Sequence, residues 1–328
     1  MRFRTLGKTG FSISEISLGT WQLGGRWGDP YSDDTAENIL NKAIDAGINF
    51  IDTADVYNAG RSEMSIGKFL QKRSERVYVA TKCGRALSPH TNEAYTPEVL
   101  EKFVDFSLRR MRVETLDLIQ LHCPPPEVYD RPEIFGTFEK LKIEGKILNL
   151  GVSVESVNEA LKAIEFDNVA TIQIIFNMFR QKPAEVFFKE AQKRNVGIII
   201  RVPLASGLLT GTYSMKTQFG NEDHRTFNRN GEAFDKGETF SGIDYETGLK
   251  AVEELKKLFP NYKNLAPVAL KWILMFTEVS CIIPGTSRTE QVISNLKTTD
   301  IANLTAEQIQ KVNEIYDTYI REQVHHLW

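Results

Sequence analysis

The chain has 328 residues, of which 41% are hydrophobic, so it can bury a large core, and intrinsic disorder is excluded. Its formal net charge is -3, which leaves no surplus of Lys and Arg for binding nucleic acid. Its cysteines, Cys83, Cys123 and Cys281, are far apart and lack metal-ligand spacing, so we expect no disulfide framework, no metal site and a reducing compartment.

No targeting or membrane signal is visible in the sequence. The first ten residues mix Arg, Lys, Thr and Gly and lack the apolar stretch of a secretory signal peptide. No run approaches the ~18 apolar residues that a membrane-spanning helix requires. We therefore expect a cytoplasmic protein with neither a membrane nor a nucleic acid as partner.

The first predicted element is a β-hairpin. Residues Arg2–Leu6 and Phe11–Ser14 have strand character and flank the glycine-rich turn Gly7-Lys8-Thr9-Gly10. The Gly-Lys-Thr triplet in this turn is not a phosphate-binding loop, because Arg2 occupies the position of that motif's first glycine.

Eight short strands follow the hairpin, and most are continuous apolar runs of the kind that is buried on both faces of a parallel sheet. The predicted strands are Ile16–Leu18, Asn49–Asp52, Val77–Thr81, Leu116–Leu121, Ile147–Val152, Ile172–Phe176, Gly197–Arg201 and Cys281–Ile283. Helices are predicted between and after them at Thr35–Ala46, Ser62–Lys72, Pro97–Met111, Pro132–Glu144, Ser156–Ile164, Pro183–Arg194, Tyr245–Leu258, Pro267–Phe276 and Thr305–Glu322.

This alternation predicts an α/β fold: a (β/α)8 TIM barrel with an N-terminal β-hairpin and extra C-terminal helices. No Gly/Ser linker divides the chain, so residues 1–328 are expected to form one domain. The irregular stretch Ala205–Gly242 is too long for a routine connection, and we expect either a functional lid or a disordered segment. It follows the seventh strand, at the end of the barrel where active sites lie.

Three consecutive strands end in ionisable side chains. Asp52, Asp55 and Tyr57 follow the second strand, Lys82 follows the third and His122 follows the fourth. Adjacent strand ends meet at one mouth of a barrel, so these side chains are expected to share a pocket. Each has a plainer interpretation by itself, such as a helix cap for Asp52, but that does not explain their common position.

The grouping suits the transfer of a proton to a carbonyl oxygen. A tyrosine hydroxyl has an unperturbed pKa near ~10, and the ammonium of Lys82 is expected to lower the pKa of Tyr57. Asp52 would hold Lys82 in place and keep it charged. Tyr57 would then protonate the oxygen while hydride reaches the carbon, and His122 would orient the carbonyl.

The segment Asp52-Thr53-Ala54-Asp55-Val56-Tyr57-Asn58-Ala59-Gly60-Arg61-Ser62-Glu63 resembles the signature of the aldo-keto reductases. The resemblance covers nearly the whole chain, through Gly19-Thr20-Trp21, Thr81-Lys82, Leu121-His122-Cys123-Pro124, Gly145-Lys146-Ile147, Gly151-Val152-Ser153, Pro203-Leu204-Ala205-Ser206-Gly207 and Ile283-Pro284-Gly285-Thr286. It implies a barrel that binds NADPH without the Gly-rich Rossmann motif, which this chain lacks. It also implies a catalytic tetrad of Asp52, Tyr57, Lys82 and His122, with Tyr57 as general acid/base.

The same resemblance implies which residues bind NADPH or NADP+. Ser153 and Gln173 would hold the nicotinamide carboxamide, and Arg201 stands where many members have a stacking aromatic residue. Leu204, Ser206, Gly207 and Leu209 would lie along the pyrophosphate, and Gly285, Thr286, Ser287 and Arg288 beside the 2′-phosphate. Gln291 and Asn295 would contact the adenine, and Gly19, Thr20, Trp21 and Pro203 complete the set.

Plainer roles remain open for three of these residues. Ser153 is also placed to cap the helix that starts near Ser156, and Val154 stands where the family often has Asn. Arg201 would serve equally as a structural ion-pair partner, and Arg288 as a solvated residue at a helix start.

The expected activity is reduction of aldehydes or ketones to alcohols, or the reverse oxidation of a sugar or another alcohol. Two alternatives are a regulatory NADPH-binding subunit with little turnover, as some barrels of this family are, and a barrel with another chemistry. The short segment before the hairpin favours the enzyme.

The substrate, a small carbonyl or alcohol, is expected to face an aromatic wall of Trp21, Trp27, Tyr57 and Phe176. Trp328 is expected to dock either on the barrel mouth or on another subunit, and the oligomeric state stays open.

Overall fold

The computed structural model describes residues 1–328 and begins with the predicted hairpin. Strands β1 (Phe3–Thr5) and β2 (Ser12–Ser14) pair antiparallel, and a 3-10 turn at Gly7–Thr9 joins them. Gly7 has a φ of +49°, and a Cβ atom there would lie 2.1 Å from the backbone nitrogen of Gly197. This close approach to the barrel therefore requires glycine.

Eight parallel strands form one sheet in which neighbours in the chain are neighbours in space. They are β3 (Leu18–Gly19), β4 (Phe50–Asp52), β5 (Tyr78–Cys83), β6 (Leu116–His122), β7 (Ile147–Ser153), β8 (Val169–Ile175), β9 (Gly197–Arg201) and β10 (Val279–Ile282). The first strand lies later than predicted, and Ile16 makes only an isolated bridge to Ile282. The sheet edges meet where Ser17 N–H donates to the Ile282 carbonyl at 2.9 Å, so the predicted barrel is confirmed.

The hairpin plugs the amino end of the barrel. Inside that end lies a small apolar cluster made of Leu6, Ile13, Phe50, Ala80, Leu118, Ile199, Cys281 and Ile283. A much larger core packs the outer faces of the strands against the surrounding helices. The carboxyl ends of the strands are therefore the open face of the barrel.

The helices follow the predicted order. They are α1 (Asp33–Asp45), α2 (Arg61–Leu70), α3 (Pro97–Met111), α4 (Pro132–Ile143), α5 (Val157–Ala163), α6 (Phe187–Lys193), α7 (His224–Phe227), α8 (Tyr245–Leu258), α9 (Ala266–Leu274), α10 (Thr289–Leu296), α11 (Ala306–Ile315) and α12 (Arg321–Val324). Ser32, Thr96 and Asp244 cap α1, α3 and α8 by accepting a backbone N–H three residues on. None of the helices combines the length and apolar composition that crossing a bilayer would need.

Two predicted helices are less regular than expected. The segment Pro183–Arg194 splits into a 3-10 turn at Lys182–Ala184 and the later α6, because Val186 leaves helical geometry at φ -130° and ψ -50°. The segment Thr305–Glu322 contains a π-helical turn at Tyr316–Ile320 between α11 and α12.

The long segment 205–242 is folded over the open face, as expected of a lid rather than of a disordered loop. It contains α7 and 3-10 turns at Ala205–Thr210, Lys236–Glu238 and Phe240–Gly242. The hydroxyl of Ser206 ties its ends together, since it donates to the Glu238 carbonyl and accepts from the Phe240 N–H, both at 3.0 Å.

Trp328 holds this loop from the outside. Its side chain is buried, with the guanidinium carbon of Arg180 lying 3.9 Å from the ring centroid. The indole Nε1 donates to Asp235 Oδ2 in the loop at 2.9 Å. Of the two positions expected for Trp328, the structure has the one on its own barrel mouth.

Candidate active site

Asp52, Tyr57 and Lys82 meet at the carboxyl ends of β4 and β5. Lys82 is fully buried, and its Nζ lies 2.6 Å from Asp52 Oδ1 and 3.2 Å from Tyr57 Oη. The ammonium also donates to the Thr53 carbonyl at 2.8 Å. The three side chains therefore form the connected chain that the sequence predicts.

The ionisation of Tyr57 differs from the expectation. Burial raises its pKa, and this outweighs the opposite effect of the neighbouring ammonium, so the net direction is upward. Burial lowers the pKa of Lys82, but Asp52 and Tyr57 outweigh it and the pKa rises. At neutral pH Tyr57 is a protonated phenol beside a charged lysine, which is the state of a proton donor.

A pair of glutamines completes the shell around Asp52. Its Oδ2 accepts from Gln173 Nε2 at 2.7 Å and from Gln120 Nε2 at 3.1 Å. Gln173 was predicted as a cofactor contact, whereas Gln120 was missed, although it lies on β6 two residues before His122. Alternate strand residues face the same side, and this spacing was the available signal.

His122 is a neutral imidazole at the cavity wall. Burial, then Lys82, Arg85 and Arg201, hold its pKa well below the usual range. Its Nδ1 is buried without a hydrogen-bond partner, and its ring meets that of Tyr57 edge-on, with 6.1 Å between centroids. A neutral ring here can direct an N–H at a carbonyl oxygen.

These groups surround a cavity of about 650 Å³ at the carboxyl end of the barrel, lined by Asp52, Tyr57 and His122 among others. Trp21 and Trp27 form one wall, with 4.7 Å between their centroids. Phe176, expected in this wall, lies instead outside the barrel, where it stacks on Trp272 at 5.0 Å. It is three positions from Gln173, and residues an odd number apart on a strand point to opposite faces.

A family model described as "Aldo/keto reductase family" matches residues 15–317. The chain belongs to the aldo/keto reductase family. The strand ends that this family model spans are those that carry Asp52, Lys82 and His122.

Relatives of several kinds resemble this aldo/keto reductase. A putative voltage-gated potassium channel subunit beta of Schizosaccharomyces pombe is 30% identical over 95% of this chain and 92% of its own. An NADH-specific methylglyoxal reductase of Escherichia coli is 27% identical over 90% of this chain and 93% of its own. The solved glycerol dehydrogenase of Gluconobacter oxydans superposes with a TM-score of 0.79, at 31% identity over 97% of this chain and 96% of its own.

Aldo/keto reductases bind nicotinamide cofactors, and the cavity of this one fits such a group. It extends from Tyr57 past the ends of β8, β9 and β10 to α10. Most predicted cofactor residues line it: Gly19, Thr20, Trp21, Gln173, Arg201, Pro203, Leu204, Ser206, Gly207, Gly285, Ser287, Arg288 and Gln291. A Cβ atom at Gly285 would meet nothing within 4 Å, so the cleft is open beside the start of α10.

At the far end of the cleft, Arg288 has an exposed side chain that makes no hydrogen bond or ion pair within the protein. Gln291, predicted as an adenine contact, lines the cleft, and its Oε1 accepts the N–H groups of Ser287 at 2.8 Å and Arg288 at 3.2 Å; its contact with the adenine stays a prediction. Two donors at this helix start are therefore already occupied, and the Arg288 side chain is the free cation.

Four predicted cofactor residues do not reach the cavity surface, namely Ser153, Leu209, Thr286 and Asn295, all of which are buried. Ser153 does not cap α5, because Ser156 does so in a reciprocal pair with Glu159. Its hydroxyl lies 3.6 Å from Cys123 Sγ. The cofactor roles of these four stay predictions.

Arg201 takes part in an ion pair rather than standing free. Its Nη2 donates to the Val154 carbonyl at 3.0 Å, and its Nη1 lies 3.4 Å from Glu238 Oε1. It still lines the cavity, so the structural role expected for it and a contact with the cofactor are compatible.

The sequence interpretation missed many residues on the cavity wall. Among them are Arg85, Phe234 and Glu238, which lie outside the helices α1–α12 and the barrel strands, and His224 at the start of α7. Burial raises the pKa of Glu238, but Arg201 and Arg85 outweigh it and hold the pKa below its usual value. Glu238 is therefore charged at neutral pH.

One cluster has the composition of a metal site. Ligand atoms of Cys123, Glu155 and Glu238 lie within 4.8 Å of one another. Two guanidiniums already lie against it, with Arg201 Nη1 and Arg85 Nη1 each 3.4 Å from Glu238 Oε1. These cations neutralise the carboxylate that a metal would need.

Proposed function

We propose that this protein is an NADPH-dependent oxidoreductase that interconverts aldehyde or ketone carbonyls and alcohols by direct hydride transfer. The observation that carries the proposal is the hydroxyl of Tyr57, 3.2 Å from the buried Lys82 ammonium and beside neutral His122 on a large cavity. This is a proton donor next to a hydrogen-bond donor, on the wall of a cavity of about 650 Å³.

A bound nicotinamide supplies the hydride for the carbonyl carbon. Tyr57 donates its phenolic proton to the carbonyl oxygen, so that an alcohol and the oxidised nucleotide form and the charge is balanced. Lys82 stabilises the resulting phenolate, and Asp52 keeps Lys82 charged through the 2.6 Å contact. His122 holds the carbonyl oxygen toward Tyr57 by donating a hydrogen bond. In the direction of alcohol oxidation the same groups act in reverse.

The preference for NADPH over NADH rests on Arg288. A 2′-phosphate carries negative charge, and an unpaired guanidinium at the start of α10 is suited to it. The methylglyoxal reductase named above uses NADH, so family membership alone does not decide between the nucleotides.

A regulatory subunit with little turnover is the second candidate, because the putative channel subunit of Schizosaccharomyces pombe covers most of this chain. It would bind the nucleotide in the same cleft. Turnover, rather than binding, separates the two candidates.

The test is a fluorescence titration with NADPH and with NADH, followed by NADPH consumption with benzaldehyde as substrate, in wild type and Tyr57→Phe. We expect tight NADPH binding in both, and a rate at least 100-fold lower in the variant. NADPH binding without turnover of any aldehyde or ketone would favour the regulatory role. Binding of neither nucleotide would refute the proposal.

A further inference from the structure

Arg85 is placed on the cavity wall by the turn that follows β5. Gly84, just before it, has a φ of +101°, and a Cβ atom there would lie 2.7 Å from the hydroxyl of Tyr95. Only glycine fits this turn, which brings Arg85 to line the cavity with a side chain that is 19% exposed.

The guanidinium of Arg85 makes no hydrogen bond within the protein. Its nearest carboxylate atoms are Glu238 Oε1 at 3.4 Å and Glu155 Oε1 at 3.7 Å, and neither contact has hydrogen-bond geometry. A guanidinium carries five N–H donors, and largely buried donors are nearly always paired. Arg85 therefore has hydrogen-bonding capacity left over on the side of the cavity.

Positive charge exceeds negative charge around this position. Arg85 and Arg201 share one oxygen of Glu238 at 3.4 Å each. Burial, followed by the nearby charge of Asp235, raises the pKa of Glu155 to about 7, so Glu155 supplies only part of a charge at neutral pH. Arg180 and Asp235, which both contact Trp328, carry opposite charges.

Aromatic rings line the wall between Arg85 and Tyr57. The Arg85 guanidinium carbon lies 5.6 Å from the ring centroid of Phe234, and Trp21 lies 5.9 Å from Phe234 and 6.2 Å from Tyr57. An aromatic surface thus connects Tyr57, the proposed proton donor, with Arg85, whose N–H groups have no hydrogen-bond partner within the protein.

We propose that the preferred substrates are carbonyl compounds that also carry a carboxylate, with Arg85 binding the carboxylate while the carbonyl faces Tyr57 and His122. The planar guanidinium matches a carboxylate in shape and hydrogen bonding. Glu238 and Glu155 lie 3.4 Å and 3.7 Å from Arg85, and their negative charge would repel a dianion such as a phosphate ester more strongly than a carboxylate. This proposal deepens the proposed function and depends on it.

The experiment compares 3- and 4-formylbenzoate with their methyl esters, which keep the aldehyde and the ring but lack the charge. The measured quantity is the ratio of kcat/KM for acid to that for ester, with NADPH as reductant, in wild type and three variants. Two isomers are used so that the distance from carbonyl to carboxylate is not assumed.

In Arg85→Gln the ratio should fall about 10- to 100-fold, the effect of losing a hydrogen bond to a charged group. In Glu238→Gln it should rise about 3- to 10-fold, because a competing carboxylate is neutralised. Arg26→Gln is the control for positive charge at the mouth: Arg26 also lines the cavity, but it is 68% exposed and paired with Asp29, so the ratio should stay within about twofold. Turnover of the ester by Arg85→Gln reports that this variant is folded.

An unchanged ratio in Arg85→Gln, with the esters still reduced, would overturn the substrate assignment and leave the proposed function standing. Equal falls in Arg85→Gln and Arg26→Gln would also overturn it, because they would indicate general charge steering at the mouth. If wild type reduced no aldehyde at all, the proposed function would fail, and the substrate assignment with it.

Discussion

We expect the contributions of buried Lys82 and Asp52 to the free energy of unfolding to be strongly coupled. Asp52 accepts three N–H groups, from Lys82 at 2.6 Å, Gln173 at 2.7 Å and Gln120 at 3.1 Å. An asparagine has one acceptor oxygen, so in Asp52→Asn one donor must face another whichever way the amide turns. Breaking a buried pair by removing one partner costs about 3–5 kcal/mol, and we expect that loss for Asp52→Asn and also for Lys82→Met.

The double variant removes both charges and should lose less stability than either single variant. We expect a coupling energy of at least about 3 kcal/mol in the double-mutant cycle. The assay is urea unfolding followed by tryptophan fluorescence and by circular dichroism. The exposed pair of Lys72 and Glu37 is the control, because its N···O distance is also 2.6 Å; Glu37→Gln should change stability by less than about 0.5 kcal/mol. Additive losses at Asp52 and Lys82 would refute the reasoning.

Three further outcomes are expected. The pKa of Tyr57 is raised and that of His122 is well below its usual value. We therefore expect kcat/KM for a neutral aldehyde to be level from about pH 7 to 9 and to fall only above pH ~10. A decline centred near pH 7 would contradict these ionisation states. Arg288→Gln should raise the Kd of NADPH about 2- to 5-fold, as for an exposed charge pair, and leave that of NADH unchanged in a fluorescence titration. Equal changes for both nucleotides would remove Arg288 from phosphate binding. Trp328→Ala should lower the free energy of unfolding by about 3–5 kcal/mol and make residues 205–242 the first site of limited proteolysis. Leu327→Ala, at a side chain that is 49% exposed, should match wild type in both stability and proteolysis.

The barrel and the grouping of Asp52, Tyr57, Lys82 and His122 were predictable because both follow from strand positions. Apolar runs mark the strands, and Asp52, Lys82 and His122 stand directly at strand ends, where the topology brings them together. Gln120 was also predictable from its spacing to His122, and the outward direction of Phe176 from its spacing to Gln173.

The loop contributions were not predictable in the same way. Glu238 and Phe234 reach the cavity along a path with no regular period, so no spacing rule relates them to Arg85 or Arg201. The direction of the Tyr57 pKa shift depends on how deeply the phenol is buried relative to its distance from Lys82. The sequence indicates that a charged lysine lies near Tyr57, but it does not indicate how deeply the phenol is buried.

The contact between Trp328 and Asp235 joins residues that are 93 positions apart, and this separation has a consequence for biosynthesis. At about 5–20 residues per second, Asp235 is made roughly 5–20 s before the side chain that fastens its loop. During that interval β10 (Val279–Ile282) is made and completes the set of barrel strands, while the segment over their open face has yet to receive its anchor. The mouth of the barrel is thus assembled last, after the scaffold that it serves.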